Sequence, residues 1–305
     1  MQRRGFKAER VKKFEKLVER AKKRGISRER LEERIEAFGR IVWLRKWREM
    51  NFEEKVGFAE RRYGVKVSKK VKDVLWELEK GKIDDIKIKG KEFVVAIPWL
   101  YELSFSRGAG VKTMVFWVLG KIGVWNKDVK EILERLSGDE DLVVRKSVAR
   151  ALGRIGVWND DVGKILKRLG RSRHPWIMHI EVPKALGEIG VWNDVVGEML
   201  IVLGADYDEF TRETIFESLK KIKMDENAKR KLIEKIKFAG EIAKAAGIYF
   251  SELDYEKRWL VIEGLFRNRF DRRKFLKDEK YREQLLDLVK AMSVEKLREL
   301  VFGKK

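Results

Sequence analysis

Arg267, Arg269, Arg272, Arg273 and Lys274 alternate with Phe266, Phe270 and Phe275, a mixture that suits phosphate contacts beside base stacking. The same spacing also fits a core stripe of phenylalanines with solvated arginines between them, and the pattern leaves both readings open. A second cluster, Arg168, Arg171, Arg173 and His174 beside Trp176, is basic where the equivalent stretch one period earlier has Asp139, Glu140 and Asp141. The third lies at the N-terminus, where Arg3, Arg4, Lys7, Arg10, Lys12 and Lys13 cover the outer faces of an amphipathic pattern. Interleaved glutamates, Glu9, Glu15 and Glu19 among them, support a solvated helix pair as the alternative there.

Bulk composition narrows the chemistry further. The net charge is +21 over 305 residues, distributed as +10 in 1–49, +4 in 50–118, +2 in 119–204 and +5 in 205–305. A charge excess concentrated at the ends points to a polyanion partner. With no cysteine and only His174 and His179, thiolate and histidine metal sites are not expected, and no cofactor motif is present. No apolar run reaches the roughly 20 residues that span a bilayer, and the N-terminus lacks a signal-peptide core, so a soluble cytoplasmic protein without a membrane partner is expected. Abundant Lys, Arg and Glu with two glutamines and six asparagines fits a protein that works hot.

The elements that position these clusters are helices. Apolar steps of three and four predict helices over 6–21 and 31–43, and caps at Asn51 and Ser68 open two more, ending at Gly64 and Gly81. Ile86 and Ile88 alternate with charges ahead of Phe93-Val-Val-Ala-Ile97, which predicts one short β-hairpin near 82–97 around Gly90. Two helices and a hairpin could form a winged DNA reader with Lys87, Lys89 and Lys91 as its wing. Leu100, Leu103 and Ser104 align with Leu133, Leu136 and Ser137 at an offset of 33 residues, which argues instead for a short insertion at the start of an array.

That array announces itself in Leu119-Gly-Lys-Ile-Gly-Val-Trp-Asn126, which returns at 152–159 and 186–193, spaced 33 and 34 residues apart. Self-similarity at this period marks stacked helix pairs, each closing its apolar face on its neighbours. Within one unit, Val144, Val148, Ala151, Leu152 and Ile155 form the stripe of a first helix, and Gly153 lets a neighbour approach. Gly156 suits a left-handed helix end, and Asn159 suits the N-cap of a second helix. Trp125, Trp158 and Trp192 read as packing wedges in the turn, with a base-stacking row as the alternative. The third unit departs from its siblings, with Pro183 inside its first helix, where a kink is expected. After Lys221 the period fades; Asn227 to Phe238, Glu241 to Ala246 and Val294 to Phe302 keep helical patterns, the last as a cap.

Val-Arg followed by Ala-Leu-Gly-x-Ile-Gly resembles the HEAT repeat, in its short bilin-lyase subtype, clearly over about 99–222. The resemblance implies an all-α fold, an α-solenoid of antiparallel helix pairs. It places the family's basic ladder on Lys112, Arg145, His179 and Arg212, whose usual role is to pair with an acid and link repeats. The expected organisation is a basic helical region over 1–90, regular repeats over 91–222, and degenerate repeats with a helical cap over 223–305. The functional expectation is a non-catalytic nucleic-acid-binding protein, with RNA or a ribonucleoprotein such as the ribosome favoured over DNA. A protein-interaction scaffold, with a partner in the concave groove, is the alternative. The third possibility comes from the resemblance alone: some HEAT-like proteins are alkylpurine DNA glycosylases, and none of their functional residues aligns here.

Overall fold

The computed structural model describes residues 19, 22, 27, 39, 41–80, 90–171, 175–205 and 209–303, without the side chains of 175–179, 209, 248 and 249. Among the described residues the fold is all-α and holds no strand. The chain divides into two compact units, Met1–Lys66 and Val67–Lys305.

In the first unit, residues 41–49 are helical and lead into α1 (Phe52–Tyr63). Asn51 Oδ1 accepts from the Glu54 amide, and Glu54 returns a carboxylate to the Asn51 amide, so two orphan helix donors are satisfied together. Gly64 ends the helix at φ 65°. Trp47 is buried, stacked on Trp43 at 5.5 Å with Phe58 against its edge.

The second unit begins with α2 (Lys69–Glu79), capped by Ser68 as expected. The second strand of the expected hairpin does not form: 91–96 is a 3-10 helix that runs directly into α3 (Ile97–Leu103), while 82–89 lie outside the described residues. Phe93, Val95, Ala96 and Ile97 are all buried, so this apolar run had no face preference to distinguish strand from helix. Pro98 sits in the first turn of α3, where its missing N–H costs nothing.

Helix pairs follow in strict alternation. First helices are α4 (Ala109–Ile122), α6 (Leu142–Ile155), α8 (Pro175–Ile189) and α10 (Glu209–Lys221). Second helices are α5 (Lys127–Leu136), α7 (Asp160–Gly170), α9 (Asp194–Gly204) and α11 (Glu226–Ala246). The helices pack sequentially in a solenoid-like pattern, with α4, α6, α8 and α10 forming the most closely packed layer. Glycine permits that approach: an ideal Cβ on Gly153 would stand 3.0 Å from Ala185 Cα.

The repeated turn has one geometry three times. Gly123, Gly156 and Gly190 adopt φ of 66°, 69° and 71°, which only glycine enters without strain. Asn126, Asn159 and Asn193 each accept from the amide three residues on, at 3.0 Å. The Trp158 ring lies against Gly163 and the Trp192 ring against Gly197, so these half-buried tryptophans seal the turn onto the second helix. Helix α8 continues through Pro183, and 226–246 form one helix where the sequence pattern suggested two segments.

The C-terminal part comprises α12 (Ile248–Ser251), α13 (Tyr255–Phe266), α14 (Arg272–Lys277), α15 (Glu279–Ala291) and α16 (Val294–Phe302). Helix α13 packs on α9, α11 and α16, continuing the core past the regular repeats. Among the described residues, no helix is long and apolar enough to cross a membrane.

Candidate nucleic-acid interface

Of the predicted contact residues, Arg3, Arg4, Lys7, Arg10, Lys12, Lys13, Arg173 and His174 lie outside the described residues. The others fall in two separate places and have unequal freedom.

Arg168 projects from α7, and its Nη1 donates to Glu134 O and Ser137 Oγ, both at 3.2 Å. One repeat earlier Arg135 does the same to Ser104, with Nη1 on its carbonyl at 3.2 Å and Nη2 on its Oγ. The pair is therefore a ladder in which each second helix holds the end of the one before it. Arg171 reaches 85 residues along the chain, with Nη2 3.0 Å from Glu256 Oε1 and its guanidinium 5.3 Å from the Tyr255 ring centre. Lys167 lies 5.2 Å from the same ring centre and pairs with Glu198 at 2.7 Å. Arg168 and Arg171 thus tie helices together, which long basic side chains can do while their outer atoms stay wet.

The C-terminal cluster divides in the same way. Phe270 and Phe275 are buried and form core, while the half-buried Phe266 lies 6.2 Å from Phe238 with Lys235 4.8 Å from its ring centre, so these rings are engaged within the fold. The Phe270 ring occupies the space where a side chain on Gly264 would stand. Arg267 Nε pairs with Glu263 at 3.0 Å and its guanidinium lies 4.8 Å from the Phe302 ring centre. Arg272 lies 3.8 Å from the Phe238 ring centre and 3.6 Å from Glu241, and Lys274 lies 6.0 Å from the Tyr281 ring centre. Arg269 and Arg273 are exposed, with no ion pair among the described residues.

A third place is not one that local sequence reading picks out. On the first-helix layer the rows Trp117/Arg150/Lys184 and Lys121/Arg154/Glu188 follow the repeat offsets of 33 and 34 residues. Lys121, Arg150, Arg154 and Lys184 are exposed, and Lys121 Nζ lies 5.3 Å from the Trp117 ring centre. Below them Glu181 is buried. Its Oε2 accepts from Arg150 Nε and its Oε1 from Arg150 Nη2, both at 2.8 Å, and Lys146 Nζ is 3.4 Å from Oε1. Burial pushes the Glu181 carboxyl up. The Arg150 hydrogen bonds and the charges of Arg150, Lys146 and Lys184 outweigh that and hold its pKa below the ordinary glutamate value. Five cations thus gather on α4, α6 and α8 around one exposed carboxylate, Glu188, and one buried, neutralised one. The signal was available in the repeat register, which places residues a period apart side by side.

The expected basic ladder is formed in part. Lys112 Nζ pairs with Asp139 Oδ2 of the next unit at 2.6 Å. Arg145 instead donates to the backbone carbonyls of Asp139 and Glu140, closing the loop before its own helix. The His179 side chain lies outside the described residues, and Arg212 packs beside Gly240. Among the described residues no group of three His, Asp or Glu side chains could hold a metal ion.

No protein-family model matches this chain, and no curated protein or solved structure is significantly similar to it.

Proposed function

We propose that the chain is a non-catalytic nucleic-acid-binding protein built on HEAT-like helix pairs, and that its ligand is RNA, free or within a ribonucleoprotein, in preference to DNA. The observation that carries the reading is the basic first-helix face, where Lys121, Arg150, Arg154 and Lys184 are exposed on three consecutive first helices. Cations spaced by a structural repeat suit a ligand whose charges also repeat. Arg269 and Arg273 at the C-terminal end supply further exposed positive charge. RNA is preferred because the basic face, among the described residues, is made of the sides of consecutive packed helices; such a face would meet shape and phosphates.

Binding of labelled ribosomal RNA fragments and of duplex DNA, titrated against salt, tests the reading. RNA affinity should fall steeply as salt rises, by a slope of about −0.7 per phosphate contacted on a single strand. Absence of binding at low salt, or an affinity flat in salt, overturns it.

A protein partner is the second reading, and a specific observation favours it. Val143 and Phe210 stand exposed two repeats apart, at equivalent positions near the starts of α6 and α10. Capture from nuclease-treated lysate separates the two: a partner retained without nucleic acid supports the scaffold.

A further inference from the structure

Glu181 is an unusual residue to find beneath a basic face. It is 5% exposed, yet it remains ionised because two hydrogen bonds from Arg150 and the nearby Lys146 ammonium compensate its lost hydration. Arg150 commits Nε and Nη2 to this carboxylate, leaving Nη1 uncommitted among the described residues, and its side chain is half exposed. Lys184, one turn along α8 from Glu181, is exposed and adds its charge to the same cluster. Three cations around one carboxylate leave a local excess of two positive charges, held by side chains from two helices.

We propose that Glu181 is a positioning residue that locks Arg150 and Lys146, beside the exposed Lys184, into a site for one phosphodiester group of the nucleic acid. The inference rests on the nucleic-acid reading above. A flexible arginine loses rotamer freedom when it grips a phosphate, and one whose fork is already fixed by a carboxylate has lost that freedom on folding. The buried carboxylate thereby converts surface charge into a pre-arranged contact.

Removing the Glu181 charge should change binding in the direction opposite to simple charge attraction. Glu181→Gln raises the net charge by one, so long-range electrostatics alone would tighten binding to an anion. Loss of the locked geometry should instead weaken it by about tenfold, the scale of a hydrogen bond to a charged group. The measurement is fluorescence anisotropy with a labelled ribosomal RNA fragment, on the full chain, after circular dichroism shows that each variant is folded. Arg150→Gln should weaken binding and reduce the salt slope by about 0.7, one phosphate contact. In the Arg150→Gln background, Glu181→Gln should then cost less than about twofold, because coupled residues are non-additive.

Absence of RNA binding by the unmodified chain would sink the nucleic-acid reading itself. Binding by that chain, with Glu181→Gln equal or tighter, would sink only the positioning role, as would an equal cost of Glu181→Gln in both backgrounds. If Glu181→Gln does not fold, Arg150→Gln and Lys184→Gln decide: undiminished affinity and an unchanged salt slope in both overturn the site, and a reduced slope in both supports it.

Discussion

Gly187 on α8 faces Ser218 on α10 so closely that an ideal Cβ at 187 would stand 2.9 Å from both Ser218 Cα and Cβ. The contact is with a helix backbone, which cannot step aside as a side-chain tip could. Gly187→Ala should therefore destabilise the array by about 1–3 kcal/mol despite alanine's better helix propensity. Gly110, in the first turn of α4, has open space around it, and Gly110→Ala should be stabilising by about 0.4–1 kcal/mol. Urea unfolding of both variants checks the opposite signs; equal effects would mean that the first-helix layer is not packed this tightly.

Lys112 and Asp139 pair at 2.6 Å, with both side chains mostly buried. Burial pushes the Asp139 carboxyl up, but hydrogen bonds from Lys112 and the Asp141 amide, with the charges of Lys112 and Arg135, bring it below the ordinary aspartate value near 3.8. Glu181 is likewise held below the ordinary glutamate value near 4.5. Carboxyls with depressed folded pKa values contribute stability that is present above their unfolded values and is lost as pH falls through the folded ones. The melting temperature should accordingly hold down to the ordinary carboxyl range and drop below it. Lys112→Met should lower stability at neutral pH by about 1–3 kcal/mol, the scale of a charged group left without its partner, and flatten the acid drop. A variant whose acid profile parallels that of the unmodified chain would show that the pair contributes nothing.

What can be read from the sequence is whatever is decided within one helix and its caps. Asn159 as an N-cap, Gly156 in the left-handed conformation, Val294 to Phe302 as the last helix and the close approach at Gly153 each depend on a few neighbouring residues and the repeat period. The buried run 93–97 reads as a strand and folds as a helix because a segment covered on all sides shows neither periodicity. The partners of charges are less legible. Arg168 reads in the sequence as one member of a basic cluster, whereas its ties to Glu134 and Ser137 appear only when two second helices stand side by side. Glu181 looks like an ordinary acid in a disturbed repeat; its bond to Arg150, 31 residues away, is neither local nor one full period.

The cap itself offers a simple check on the turn geometry. Asn159 Oδ1 accepts from the Val162 amide at 3.0 Å, satisfying a donor that the helix leaves without an internal partner. Asn159→Ala should cost about 0.5–2 kcal/mol, and Asn159→Asp should retain most of the stability because it keeps the acceptor and favours the helix dipole. Thermal melts that rank the two variants in the reverse order would contradict the capping role.

Arg168 and Arg154 are both exposed arginines one helix layer apart, and they separate structure from binding. Arg168 is bonded to Glu134 O and Ser137 Oγ, so Arg168→Ala should lower stability by about 1 kcal/mol and leave RNA affinity nearly unchanged. Arg154 lies on the basic face, its stem packed against Gly120 of the preceding first helix. Removing only its charge, as Arg154→Gln, should leave the melting temperature within a degree or two of the unmodified chain's, as is usual for an exposed substitution. The same change should reduce the salt slope of RNA binding by about 0.7. The two measurements on two variants form a square: stability lost only at 168 and affinity lost only at 154. If the affinity loss instead follows Arg168, the contact surface lies along the second helices, and the basic first-helix face is a solvated one.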